Sequence, residues 1–510
     1  MVQLVTETSR YWESVSGEHD LVLTEITGRL PDELTGTLYR NGSGRWNIGP
    51  AQVRSLFDAD GMVSAFALDG AGVRFRNRFV RTRHYVKTTA AGGLVQRGFC
   101  HQRPGGMLAN AFRPPANTAN TSVEIGPDRL LALWEGGRPH GMDLDTLNTI
   151  GLCSLGGALK GPVAAYSAHY TRDPARGSTV NFGFDPYFPR VDLRHIRQAP
   201  DRAERARRLR ELAGEAIPRM RLRLYETDRH GVTRYVRAVP LPGMGLIHDM
   251  ALTARYAIFT VTPLRINPWS VLGRQSFWDA MMFKHDEPTY FVLAPRDGGR
   301  VRVVETEPFY LWHYANAYDD GDDVVVELPR FAPETYAGMH AWTADTRSEV
   351  SRIYADLPAN EQPNAVRMTR FRITSAGRVI VEPLAELGCE FPQIDQRRST
   401  RPHTYTYATV QAPDVGEGIA KFDHRTGGVQ TYCPPGQRLV EPIFVPRPGG
   451  SAEDDGWLLT VGYDEARHRS RLMVFAAEGV ESGPIAEAWL PFHLPLSYHG
   501  AFTERVAALA

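Results

Sequence analysis

The sequence predicts an all-β, propeller-like fold, and three observations predict it. Short runs that alternate apolar and polar residues recur along the 510-residue chain. Glycine-containing turn signals punctuate them at a repeating interval. Four histidines in apolar surroundings include two successive gaps, 79 and 65 residues, close to that interval.

The first hairpin is MVSAFALDGAGVRFRNRFVRT, turning at Asp69 and Gly70, followed by RLRLYETDRHGVTRYVRAV around Gly231 and TYFVLAPRDGGRVRVVE around Gly298. VRMTRFRITSAGRVIVEP turns at Gly377 and GIAKFDHRTGGVQTYC at Gly427. Period-two segments joined by Asp-Gly, Ala-Gly or Gly-Gly are hairpins, because glycine supplies the turn conformation. Along most of the chain the tips lie roughly 50 to 80 residues apart, the length of a four-stranded blade with decorated loops.

Two segments depart from this pattern. Pro200 to Ile217 reads as a helix inserted between strands: Asp201 and Glu204 have capping-box spacing, and Ala206, Leu209, Leu212 and Ala216 follow a helical period. Its arginines, Arg202, Arg205, Arg207, Arg208 and Arg210, read as a solvated face, with contact to an anionic membrane as the alternative. Residues 264–284 gather Trp269, Leu272, Phe277, Trp278, Met281, Met282 and Phe283. They fit either core packing or an apolar surface that dips into a bilayer or rims a tunnel.

The 58 basic and 58 acidic side chains cancel, which argues against a protein built to wrap nucleic acid. Cys100, Cys153, Cys389 and Cys433 form no CxxC pair, so neither a zinc ribbon nor a disulfide framework is signalled. A reducing cytoplasmic setting is the expectation. The first residues have no apolar signal region, and no stretch approaches 18 apolar residues. A soluble or peripheral protein is expected.

Of sixteen histidines, His195, His230, His285, His424 and His468 sit in charged or turn-like contexts that read as surface. His169, His248, His313 and His499 are instead flanked by aromatic, apolar or small residues. Singly, each reads as a satisfied core histidine. Together they suit a metal, since inner propeller strands converge on the axis and imidazoles bind iron, copper, nickel and zinc. Metal-bound imidazoles donate their second nitrogen to an acceptor, and Glu135, Glu390 and Glu441 lie in apolar strand contexts where a carboxylate needs a donor. Backbone hydrogen bonds are the alternative for these carboxylates.

The ordered set LTGTLYRNGSGRW, LFDADGMVSAF, NRFVRT, ANTSV, LLALWEGGRPH, IHDMALT, HYANAY, CEFPQID, VEPIFVP and PLSYHGAF resembles the carotenoid cleavage oxygenases over nearly the whole chain. The likeness is to bacterial apocarotenoid oxygenases, with lignostilbene dioxygenases as relatives. It implies one seven-bladed β-propeller domain over residues 1–510, a helical insertion at 190–220, and helical and loop insertions forming a cap over an axial non-haem Fe(II). The implied iron ligands are His169, His248, His313 and His499, with Glu135, Glu390 and Glu441 accepting from three of them. Thr121 and Trp134 match family positions lining the substrate pocket, and Trp312 matches an aromatic beside the third ligand. Gly500 is expected to leave room beside a crowded metal, whereas Tyr498 stands where phenylalanine is usual and raises the question of where its hydroxyl goes. Tyr170 replaces a usual proline, and Ser64 departs from the family's FDGDGM segment.

The implied reaction is O2-dependent cleavage of a conjugated double bond into two carbonyl products. Stilbene-cleaving members carry a lysine immediately before the first of these glutamates, where this chain has Trp134. An apolar wall favours a long polyene, an apocarotenoid, over a phenol. Stilbene cleavage and a catalytically silent lipid-binding propeller remain the alternatives. The expected partners are O2 and an apolar polyene, with peripheral membrane contact through 264–284 and no nucleic acid.

Overall fold

The computed structural model describes residues 10–509, apart from 71, 162–163, 188–197, 199, 216–218, 244, 268–271, 346–365 and 413–415. His195, Ile217 and Trp269, with parts of the predicted insertion and of the aromatic stretch, lie outside the described residues. All five predicted hairpins form as antiparallel pairs.

Seven blades result. The first contains Gly36–Arg45, Asp60–Leu68, Val73–Phe79 and Asp20–Leu23, and it receives Ser497–Thr503 from the far end of the chain. Three further sheets, each of four strands, begin at Ser122–Ile125, Thr171–Asp173 and Ala251–Leu252. Apart from two short two-stranded sheets, the remaining strands form one continuous sheet that divides into three blades. The division works because the long strand Val379–Gln393 pairs with Val366–Ile373 at one end and Tyr405–Ala412 at the other.

The ring closes twice. Ser497–Thr503 pairs with Gly36–Arg45, Tyr39 opposite Ala501, while Ile26–Gly28 adds to Ala486–Trp489 of the last blade, Ile26 opposite Ala488. Strand alternation supplies the packing between blades. In Asp60–Leu68, Met62, Phe66 and Leu68 pack with Leu459, Leu472 and Val474 of the last blade. Val63, Ala65 and Ala67 pack with Val123, Leu130 and Ala132 of the second. A strand covered on both faces reads as a nearly continuous apolar run, as this one does.

The predicted helix spans Arg202–Glu215. Asp201 caps it by accepting the Glu204 N–H at 2.7 Å. Half of the capping box is absent: the Glu204 carboxylate accepts from Arg207 and Arg208 instead of reaching back. Arg202, Arg205 and Arg207 are exposed, as the solvated-face reading expects. In 264–284, Leu264, Trp278, Met281 and Phe283 are buried among Tyr310, Phe331 and Tyr336, while Met282 is exposed. His424 departs from its surface reading: its ring is half-buried, packed edge-on against His403. His468 is likewise half-buried, stacked on His493. Among the described residues no helix is long and apolar enough to cross a membrane, and the four cysteines are unbridged.

Candidate metal centre

Four chain segments deliver an imidazole to one point on the axis. Only His499 lies within a strand; His169, His248 and His313 sit just ahead of the edge strands Thr171–Asp173, Ala251–Leu252 and Asn316–Asp320. The expectation of ligands on the inner strands is therefore shifted by a few residues.

His169, His248 and His313 place ligand atoms within 4.8 Å of one another. The His499 ring lies 4.7 Å from that of His169 and 4.8 Å from that of His313. All four are buried.

A carboxylate lies beside three of the rings. His313 Nδ1 lies 2.5 Å from Glu390 Oε2, and His499 Nδ1 lies 2.9 Å from Glu441 Oε1. Glu135 Oε1 approaches His248 Nδ1 to 2.5 Å, although the two are not aligned as a hydrogen bond. A proton held on Nδ1 leaves the Nε2 lone pair facing inward. His248 Nε2 and His313 Nε2 then face each other at 3.3 Å, and buried His169 Nε2 has no partner. Converging lone pairs repel unless a cation or proton lies between them. That arrangement fits a divalent metal.

The electrostatics agree. Burial drives His169 well below the ordinary imidazole pKa, and the other three imidazoles add to the effect. At His313 burial opposes the charged form, but the charge and hydrogen bond of Glu390 outweigh it and raise the pKa. The same pull favours a metal dication. Glu441 moves down: burial alone would raise it, but His499, Arg40 and the Gly500 N–H prevail.

Several supporting residues carry no motif signal of their own. Phe391 adopts a φ of 52° at a register shift between Glu390 and Gln393. Such a bulge re-aims a side chain, and the Phe391 N–H donates to Glu390 Oε2 at 2.6 Å. Gln393 donates to Glu441 Oε1 at 2.8 Å. Half-buried Asp249 accepts from the N–H groups of Met250 and Tyr314, tying the segment after His248 to the segment after His313. Desolvation raises its pKa to about 6.

An aromatic wall flanks the imidazoles. Trp312 packs edge-on to His248 with ring centroids 4.6 Å apart, Trp278 stacks on Trp312, and Phe57 contacts both indoles. Thr121 and Trp134 are buried. Among the described residues neither makes a hydrogen bond or ring contact with the four imidazoles: Thr121 donates to Asn120, and Trp134 lies against Gly136 and Gly137. The Tyr498 hydroxyl turns away to Ser43 and the Leu56 carbonyl. Gly500 is tight for a different reason from the one expected: a Cβ there would meet the Tyr39 carbonyl at 2.8 Å, so the neighbouring strand requires the glycine. Tyr170 donates to the Val123 carbonyl, joining two blades.

Glu327, His403 and His424 also bring ligand-type atoms within 4.8 Å. Their hydrogen bonds argue against a metal. Asn316 is oriented by donation to the Arg401 carbonyl and by the Thr400 N–H on its oxygen, which puts its NH2 3.1 Å from His403 Nδ1. His403 Nδ1 is thus the acceptor, and Nε2 carries the proton and donates it to the Thr406 hydroxyl oxygen at 3.0 Å. A protonated nitrogen cannot ligate, and Glu327 already has Arg370 at 2.7 Å. The cluster stitches adjacent blades together.

Residues 12–504 match the family model described as retinal pigment epithelial membrane protein. This chain belongs to the carotenoid oxygenase family. An apocarotenoid-15,15'-oxygenase of Synechocystis sp. is 33% identical, covering 97% of this chain and 96% of the relative. The lignostilbene-alpha,beta-dioxygenase isozyme III of Sphingomonas paucimobilis is 26% identical over 96% of this chain and 94% of its own. Among solved structures, cobalt-substituted Synechocystis ACO superposes with a TM-score of 0.82 at 32% identity, covering 97% of this chain and 98% of that one. Like these carotenoid oxygenase relatives, the chain is an oxygenase with a histidine-rich metal site.

Proposed function

We propose that this oxygenase holds Fe(II) on His169, His248, His313 and His499 and cleaves one conjugated double bond of an apocarotenoid. The observation that carries the reading is the convergence of four buried imidazoles beside the Trp312, Trp278 and Phe57 wall. Bound iron supplies the open-shell chemistry by which O2 reacts with a closed-shell alkene. The reaction balances without a reductant: one C=C and one O2 become two C=O groups.

The chain's own residues bind and orient. Glu135, Glu390 and Glu441 fix the ring planes and temper the charge of the metal, since four neutral imidazoles supply none. The aromatic wall excludes water and lies against a flat polyene, and Thr121 and Trp134 line the same pocket. Trp134 stands where a phenol-binding lysine would engage a stilbene hydroxyl, which favours the polyene. The exposed Met282 supports contact of this face with a bilayer. Unchanged liposome association in Met282→Ser would remove that contact.

The substrate is tested with protein purified without O2, loaded with Fe(II), and offered apocarotenals and hydroxylated stilbenes separately. Chromatography is expected to show cleavage of the apocarotenal. Cleavage of stilbenes alone would overturn the substrate assignment.

A further inference from the structure

The aromatic wall occupies one side of the imidazole cluster; a cavity of about 670 Å³ opens on another. At about 30 Å³ per water molecule it has room for roughly twenty. His169, His313 and His499 line its inner end, whereas Glu33, Gln396, Arg397 and Glu504, all exposed, line its outer end. The cavity therefore connects three of the four imidazoles with the surface. Its charged lining consists of five carboxylates against two guanidiniums, an excess of three negative charges in a protein whose net charge is zero.

We infer that this axial cavity is the route by which the divalent metal ion enters and leaves the site. Stripping a dication of water against the indoles of Trp312 and Trp278 costs far more than moving it hydrated through a cavity roomy enough for its water shell. A negatively lined cleft also raises the local cation concentration and the rate of capture. At the inner end, His169 Nε2 is buried and unpartnered, ready to accept the arriving ion. The substrate and the metal then reach the imidazoles from different sides. The route rests on the proposed site only in requiring a divalent cation on those four imidazoles.

Charge at the mouth tests it. The double variant Gln396→Lys with Glu504→Lys cancels the excess negative charge, and Gln396→Glu increases it. Both positions are exposed, and melting curves check that the variants fold like the unaltered protein. Metal-free protein is mixed with Co2+ in a stopped-flow instrument, and the visible ligand-field absorption is followed.

At low ionic strength the lysine pair is expected to slow capture about three- to tenfold, and Gln396→Glu to accelerate it. Final cobalt content should stay the same, and the differences should vanish near 1 M salt, where screening is nearly complete. Equal capture rates in all three proteins would overturn the route while leaving the metal centre intact. Absence of any cobalt spectrum in the unaltered protein would overturn the centre and the route together.

Discussion

Glu441 gathers the closing strand and the metal centre at one residue. Its carboxylate accepts from His499 Nδ1, the Gly500 N–H and Gln393 Nε2, all within 2.9 Å, and Arg40 lies 3.8 Å away. Glu441→Gln keeps the shape but removes the charge, and its amide can present an N–H where His499 needs an acceptor. Metal affinity is expected to fall about 10- to 100-fold, measured by competition with a chelator. The four clustered histidines and the three glutamates were legible in the sequence as polar groups in apolar surroundings. Phe391, Gln393 and Asp249 were not. Their roles depend on a bulge and on backbone donors that no local pattern announces.

At the scale of the strand, close approach and buried charge decide the outcome. In Gly36–Arg45, a Cβ on Gly42 would meet the Leu496 carbonyl at 2.3 Å and the Ser497 Cα at 2.4 Å. Gly42→Ala is expected to cost about 1 to 3 kcal/mol in urea unfolding, because only a backbone shift relieves the overlap. In Ser122–Ile125, buried Glu124 accepts from the Tyr166 hydroxyl at 3.0 Å, and burial raises its pKa to about 7 from 4.5. The folded state thus holds a proton that the unfolded chain releases earlier. The resulting penalty is absent below pH 4.5, grows as the pH rises, and is complete above pH 7, at up to about 3 kcal/mol. Thermal melts of Glu124→Gln between pH 5 and 8 should be flatter than those of the unaltered protein. The hairpins were legible because period-two patterning and glycine turns are local. The placement of His169, His248 and His313 just ahead of their strands was not, since strand boundaries follow pairing with distant partners.

For the whole molecule the central fact is closure at both ends. Ser497–Thr503 completes the first blade and Ile26–Gly28 the last, so the two termini interlock blades adjacent in space. Deleting residues 497–510 exposes the edge of Gly36–Arg45 and removes His499 at the same time. The truncated chain is expected to lose its cooperative thermal transition, read by circular dichroism. Blade length was legible in the hairpin spacing, but the pairing of β-strands more than 450 residues apart was not, because it contributes nothing to local composition. The measurement that bears most directly on the account compares O2 uptake with carbonyl formation from an apocarotenal, for iron-loaded protein and for His499→Ala. One O2 consumed per pair of carbonyl products, with both lost in the variant, is the expected result. Undiminished carbonyl formation in His499→Ala would contradict the four-histidine centre.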